Sequence, residues 1–303
     1  MLNKSNILAL VGGGIIPKFS ENKINIWDDH QGIVISQIRL NSNIIKVKIR
    51  EDVIIGALID KIYIININTL ETIDILETLN NPHGILSISY NINDLYIAFP
   101  NSKYKGRVEI NNYIISKNNY NKAEPKSIPA HESNIAYITI NNQGTLLATA
   151  SDKGTLIRLF NILKGEKIIE LRRGAKNAII NCLAFDINSE FIGCTSDSFT
   201  VHIFDIHEIN KLLEQNEEKS QSNTNNDNKK EKEKVKNVKP VKINERSFAK
   251  YKVQDEKSFI GFCQKNTIII LTPDGKYQKA TFDVKSGGNC KKIEENFIKI
   301  ENN

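Results

Sequence analysis

The sequence predicts an all-β chain folded as a β-propeller of four-stranded blades, and three observations carry that prediction. Short apolar or alternating runs recur from end to end, each bounded by Asn, Asp, Gly or Pro. Residues 135–161, IAYITINNQGTLLATASDKGTLIRLFN, resemble residues 179–205, IINCLAFDINSEFIGCTSDSFTVHIFD. The repeat length of about 44 matches the roughly 40–45 residues of a WD-type blade. Even strand spacing alone would fit a sandwich or a barrel as well, so the repeat decides.

Along the chain, INIWDD around Trp27 gives the first weak copy and KIYIININ around Ile65 the second. GILSISY, LYIAFP and GRVEINNY lead through Ile110 in a third. The two clear copies follow, each reading strand, polar turn, strand, Ser-Asp, turn, strand, with Phe160 and Phe204 closing equivalent strands. SFIGFC and TIIILTPDG open a last copy at 258–283. About six blades are recognisable in this way. Residues 214–240 interrupt the pattern. They are polar, charged and nearly devoid of apolar side chains, so they are expected to be a disordered basic loop inserted within a blade. Just before them, DIHEINKLLEQ places Ile206, Ile209, Leu212 and Leu213 on one helical face. That face either docks on its own blade or dips into a membrane surface as an amphipathic element.

The 303 residues suit one propeller domain spanning 1–303, and 40% hydrophobic with 25% charged residues is an ordinary globular balance. Of the formal charge of +6, roughly +5 lies between Lys229 and Lys242, where seven lysines meet two glutamates. The remainder is close to neutral, which argues against a nucleic-acid partner. Cys182, Cys194, Cys263 and Cys290 show no C-x-x-C spacing and are expected to be reduced thiols of a cytoplasmic protein. No apolar run approaches the ~20 residues that span a bilayer. The N-terminus lacks a signal-peptide core, so any membrane is met from its surface. VGGG at 11–14 has no following Gly-Lys-Ser/Thr, the five histidines show no metal spacing, and no Ser–His–Asp set emerges. No enzyme activity, metal or cofactor is expected, and a monomer is.

The stretch GEKIIELRRGAKNAIINCLAF, residues 165–185, sets Arg172 and Arg173 side by side at a strand end before Gly174. Neighbouring strand residues point to opposite sides, so the two arginines serve two separate pockets. Gly174 is expected to release the backbone where a Cβ would clash. His131, Ser151, Thr155 and Arg158 flank one side; Ser196, Thr200 and His202 flank the other. Arginine forks with short hydroxyl donors clamp phosphate. The plainer alternative pairs the arginines with acids such as Glu170 and Asp186 on a solvated rim.

With these residues in view, the chain resembles the PROPPIN family, the WIPI-type WD-repeat propellers of autophagy. The likeness rests on LRRG (171–174), ATASDKGTLIRLFN before it, SDSFTVHIF after it, and LALVGGGIIPKFSENKINIWDD, NPHGILSI, IAFPNSKYKGRVEI and ERSFAKYKV elsewhere. The resemblance implies binding of phosphatidylinositol 3-phosphate and 3,5-bisphosphate at two sites. Arg172 would serve the first with His131, Ser151, Thr155 and Arg158; Arg173 would serve the second with Ser196, Thr200 and His202. Two weak contacts plus an inserted loop give avidity. It also implies autophagy-protein partners, a lipid-transfer protein among them, with the NPHG and FPNSKYKG loops as candidate contacts. The membranes to expect are autophagosomal, endosomal, vacuolar or plastid.

Two features depart from the family pattern. The Lys-Gly-Thr at 153–155 becomes Ser-Phe-Thr at 198–200, which bears on the second site. Family members carry a whole blade before the segment corresponding to LALVGGG, so the first of seven blades is expected to be missing. A protein-interaction scaffold with decayed lipid sites is the alternative function. If His131 or His202 contacts phosphate, protonation near pH ~6.5 should strengthen binding as pH falls.

Overall fold

The computed structural model describes residues 5–116, 119–209, 244–264 and 266–298. The inserted tract at 214–240, and with it Leu212 and Leu213, lies outside the described residues. Two compact units emerge, Met1–Ser151 with Ile162–Glu166, and Asp152–Asn161 with Lys167–Asn303.

The first unit holds three antiparallel meanders and a hairpin. β1 (Ile7–Leu10), β2 (Lys23–Asp28) and β3 (Ile33–Arg39) form a three-stranded sheet. β4 (Lys46–Ile49), β5 (Val53–Ala57), β6 (Lys61–Asn66) and β7 (Thr72–Glu77) form a four-stranded one. β8 (Ser87–Ile88), β9 (Asp94–Pro100), β10 (Arg107–Ser116), β11 (Asn119–Lys122) and β12 (Lys126–Pro129) complete a five-stranded sheet in which β12 also pairs with β10. β13 (Ile135–Ile140) and β14 (Leu146–Ser151) make the hairpin.

Burial explains why the middle strands were so legible. β5 is buried at every position, and its alternate side chains feed two cores. Val53, Ile55 and Ala57 join a cluster with Leu95, Ile97 and Phe99, while Ile54 joins Ile24, Tyr63 and Ile65. A strand packed on both faces must be continuously apolar. An outer strand such as β3, IVISQIR, alternates exposed and half-buried instead. Arg50, buried near this core, forks onto Asp52 at 2.6 and 2.7 Å and donates to the carbonyls of Asn91 and Asp94. The pairing and the carbonyls together compensate for its desolvation.

The second unit holds the hairpin of β15 (Leu156–Asn161) and β16 (Lys167–Arg172) and an eight-stranded sheet. That sheet is two meanders in a row: β17 (Ile180–Phe185), β18 (Phe191–Ser196), β19 (Thr200–Asp205) and β20 (Ala249–Lys252), then β21 (Phe259–Gln264), β22 (Thr267–Leu271), β23 (Lys276–Asp283) and β24 (Gly287–Phe297). β20 and β24 join them in parallel, Ala249 opposite Gly288 and Lys250 opposite Asn289.

The internal repeat survives as geometry. Ile135 opposes Ser151 and Ile180 opposes Ser196, each followed at once by a bulge. The turn side chains match too: Asn141 accepts the Leu146 N–H and Asp186 the Phe191 N–H. The fold is the β-propeller of WD-type blades that the sequence predicts.

Candidate functional site

Arg172 and Arg173 meet opposite fates. β16 ends at Arg172, whose N–H donates to the Glu245 carbonyl at 2.7 Å and whose side chain is exposed. Among the described residues nothing pairs with the Arg172 guanidinium. Arg173 turns inward and is 7% exposed. Its Nε donates to the Gly154 carbonyl at 2.7 Å, its Nη1 to Ser198 Oγ at 3.1 Å, and its Nη2 to the Lys176 carbonyl. The Arg173 N–H also donates to the Thr155 carbonyl at 2.9 Å. Strand alternation sends the arginines apart, as the sequence implied. One of them is a charged staple between two turns and the other stands in solvent.

Neither arginine takes the acids offered to it by the plainer reading. Glu170 is held by Arg158, whose Nε lies 2.8 Å from Oε2 across the β15–β16 pair. Asp186 accepts turn N–H groups of its own loop, those of Phe191 and Asn188. Gly174 also needs correction. A Cβ there would meet nothing within 4 Å and its φ is not positive, so the residue is not sterically required. The obligatory glycine is Gly154, at φ +61, where a Cβ would stand 1.8 Å from the Ala178 carbonyl oxygen.

The residues expected around Arg172 divide between the units. In the first unit Ser151 ends β14 and is buried, and His131 is fixed through Nε2 to Thr149 Oγ1 at 2.9 Å and by its N–H to the Gly106 carbonyl. In the second unit Arg158 and Glu170 oppose each other, and Arg172, two residues on from Glu170, shares their face. Thr155 is half-buried.

The residues expected around Arg173 lie within one unit and split into two layers. Ser196 is fully buried and contacts Ser198 Oγ at 2.8 Å, which in turn accepts from Arg173. Thr200 and His202 instead line a cleft of about 530 Å³ with Lys250, Tyr251, Lys252, Asn289 and Cys290. The register explains the grouping. Thr200 opposes Lys252 and His202 opposes Lys250, so all four side chains share one face of the β19–β20 pair. The AKYK alternation carried this signal, and sequence reasoning passed over it. Both lysines are exposed.

His202 is 7% exposed, and its Nδ1 lies 2.7 Å from Ser247 Oγ. Burial, and then the charges of Arg173 and Lys250, push its pKa down to about 4. In the ligand-free protein the imidazole is therefore neutral above pH 6, its titration lying below the pH ~6.5 at which protonation was expected to strengthen phosphate binding. Burial also lifts the Cys290 thiol to about 11, leaving it protonated. Together the cleft offers two ammonium groups, a hydroxyl, an amide and a neutral imidazole, a set suited to a phosphate group.

For Ile206 and Ile209 the docking alternative holds, and their expected membrane contact is corrected. Residues 207–209 are helical, and Ile206 and Ile209 are fully buried, so they dock on their own unit and cannot face lipid. NPHG is a tight turn, with the Gly84 N–H donating to the Asn81 carbonyl at 3.0 Å and Gly84 at φ +57. Among the described residues no helix is long and apolar enough to cross a membrane, and no cluster of three His, Cys, Asp or Glu could hold a metal.

The sequence model of PROPPIN matches residues 8–293. The chain belongs to the PROPPIN family. It is 31% identical over 300 residues to Autophagy-related protein 18e of Arabidopsis thaliana, covering 98% of this chain and 75% of that one. It is 30% identical over 297 residues to WD repeat domain phosphoinositide-interacting protein 1 of Xenopus laevis, covering 94% of this PROPPIN and 66% of the relative. Among solved structures, Kluyveromyces lactis Hsv2 aligns with a TM-score of 0.74 at 18% identity, covering 99% of this chain and 85% of that one. The relatives are thus autophagy-related and phosphoinositide-interacting by name, and the structural likeness establishes the propeller.

Proposed function

We propose that this PROPPIN is a non-enzymatic reader of 3-phosphorylated phosphoinositides, phosphatidylinositol 3-phosphate and the 3,5-bisphosphate, that brings autophagy-related proteins to the membrane it reads. The observation that carries the proposal is the exposed Arg172 guanidinium, for which the described residues supply no counter-ion. An arginine fork with no acid partner is poised for an anion from outside. The exposed Lys250 and Lys252, beside Thr200 in the cleft, supply charge for a second head group. Two weak sites on one protein reinforce each other on a membrane. The surface read would be autophagosomal, endosomal, vacuolar or plastid.

Arg173 supports this reading indirectly, by fixing the turns that carry Gly154 and Ser198. The same three bonds also favour the second reading, a protein-interaction scaffold whose second lipid site has decayed, because a phosphate would have to displace them. Co-sedimentation with phosphatidylcholine vesicles containing phosphatidylinositol, its 3-phosphate or its 4-phosphate separates the two. Pelleting selective for the 3-phosphate is expected. A folded protein that ignores all three vesicle types, and vesicles carrying the 3,5-bisphosphate as well, refutes the lipid reading and leaves the scaffold.

A further inference from the structure

Phe199 stands at φ +57, in the left-handed region where bulky side chains rarely sit. It occupies the turn position that Gly154 fills in the preceding repeat at φ +61. The backbone conformation recurs in both repeats while the residue suited to it does not. The strain is held in place by neighbours: the Phe199 carbonyl accepts the Val253 N–H at 3.0 Å, and the next strand pair sets Thr200 opposite Lys252. The ring gains little packing in return, since the residue is 42% exposed. A strained backbone bearing an exposed aromatic is an outlier of the kind that clusters at functional sites.

Its surroundings say what the ring is for. Ser198, immediately before it, touches both Arg173 and Ser196. Thr200, immediately after it, lines the cleft with His202 and the exposed Lys250 and Lys252. An exposed aromatic one residue from a lysine-lined cleft has the composition of an interfacial anchor, with the ring entering the acyl boundary while the ammonium groups stay among anionic head groups.

We propose that Phe199 is a membrane anchor, inserting into the bilayer interface of an anionic membrane while the adjoining cleft engages a head group. This rests on the lipid-reading function proposed above and adds to it a residue that reads no phosphate.

The test uses phosphatidylcholine vesicles with and without phosphatidylinositol 3-phosphate. Phe199→Gly removes the ring and relaxes the backbone, so the variant should melt at the wild-type temperature or above it. It should nonetheless bind the lipid-containing vesicles about three- to ten-fold more weakly, as expected for losing the burial of a partly exposed aromatic. Phe199→Trp should retain affinity, and its added fluorescence should shift to the blue on those vesicles, over the background of Trp27, the single native tryptophan. Equal binding by wild type and Phe199→Gly, or an added indole emission in Phe199→Trp that vesicles leave unmoved, overturns the anchor while leaving the lipid reading intact. A wild type that ignores the vesicles overturns both.

Discussion

Replacing Arg173 by Ala should damage the protein, whereas replacing its neighbour should not. The Arg173 side chain is 7% exposed and donates three hydrogen bonds, to the carbonyls of Gly154 and Lys176 and to Ser198 Oγ. A bond from a charged donor contributes about 1.5 kcal/mol or more net, and deletion leaves the carbonyls unpaired. Some water enters the vacated space, so the loss should be about 3 kcal/mol, near the upper part of the usual range. At roughly 2 °C per kcal/mol for a chain of this size, Tm falls by about 6 °C. Arg172→Ala removes an exposed side chain and should stay within about 0.5 kcal/mol of wild type. Thermal melting of both variants, with circular dichroism in the cold to confirm the fold, measures the split. Equal stabilities for the two variants, or a larger loss at Arg172, would refute the assignment of Arg173 as the staple. The asymmetry also means that a double arginine replacement mixes folding with binding.

Further outcomes follow from the same geometry. Because the unfolded chain protonates His202 near pH ~6.5 and the folded one only near 4, wild-type stability should fall as pH drops through that window, by at most ~3 kcal/mol, and stay level above it. Urea midpoints against pH should show a shallower slope for His202→Gln, and an unchanged slope would remove His202 from the account. Gly154→Ala should cost about 2–4 kcal/mol, since a Cβ would lie 1.8 Å from the Ala178 carbonyl oxygen at φ +61; a wild-type Tm would contradict it. Lys250→Ala with Lys252→Ala should leave Tm unchanged and weaken vesicle binding by about ten- to thirty-fold at low salt, at roughly 1 kcal/mol per lysine near an anionic surface. A loss that persists undiminished at high salt would count against their electrostatic role.

The inner strands were legible because burial on both faces demands continuous apolar runs. LLATAS and FIGCTS became β14 and β18, buried at all positions. Outer strands answer to fewer constraints. β24, GGNCKKIEENF, is mostly exposed and takes its course from pairing with β23, so no apolar period announces it. The site was legible to the same degree. Alternation told that Arg172 and Arg173 diverge, yet which one is buried depends on the Gly154 and Lys176 carbonyls that two turns bring to Arg173. Gly174, prominent in the sequence, proved dispensable sterically, while Gly154 carries the constraint. Ile206 and Ile209 show the limit of helical periodicity, because an apolar face reads alike whether it meets lipid or its own core. Lys250 and Lys252 join the cleft only through the β19–β20 register.

The most direct measurement is the affinity of wild type and Arg172→Ala for vesicles containing phosphatidylinositol 3-phosphate. The variant should keep its Tm and bind about ten-fold or more weakly, as expected for losing a charge-assisted contact to phosphate. Wild-type affinity in a folded Arg172→Ala would contradict the claim that this exposed arginine reads the head group.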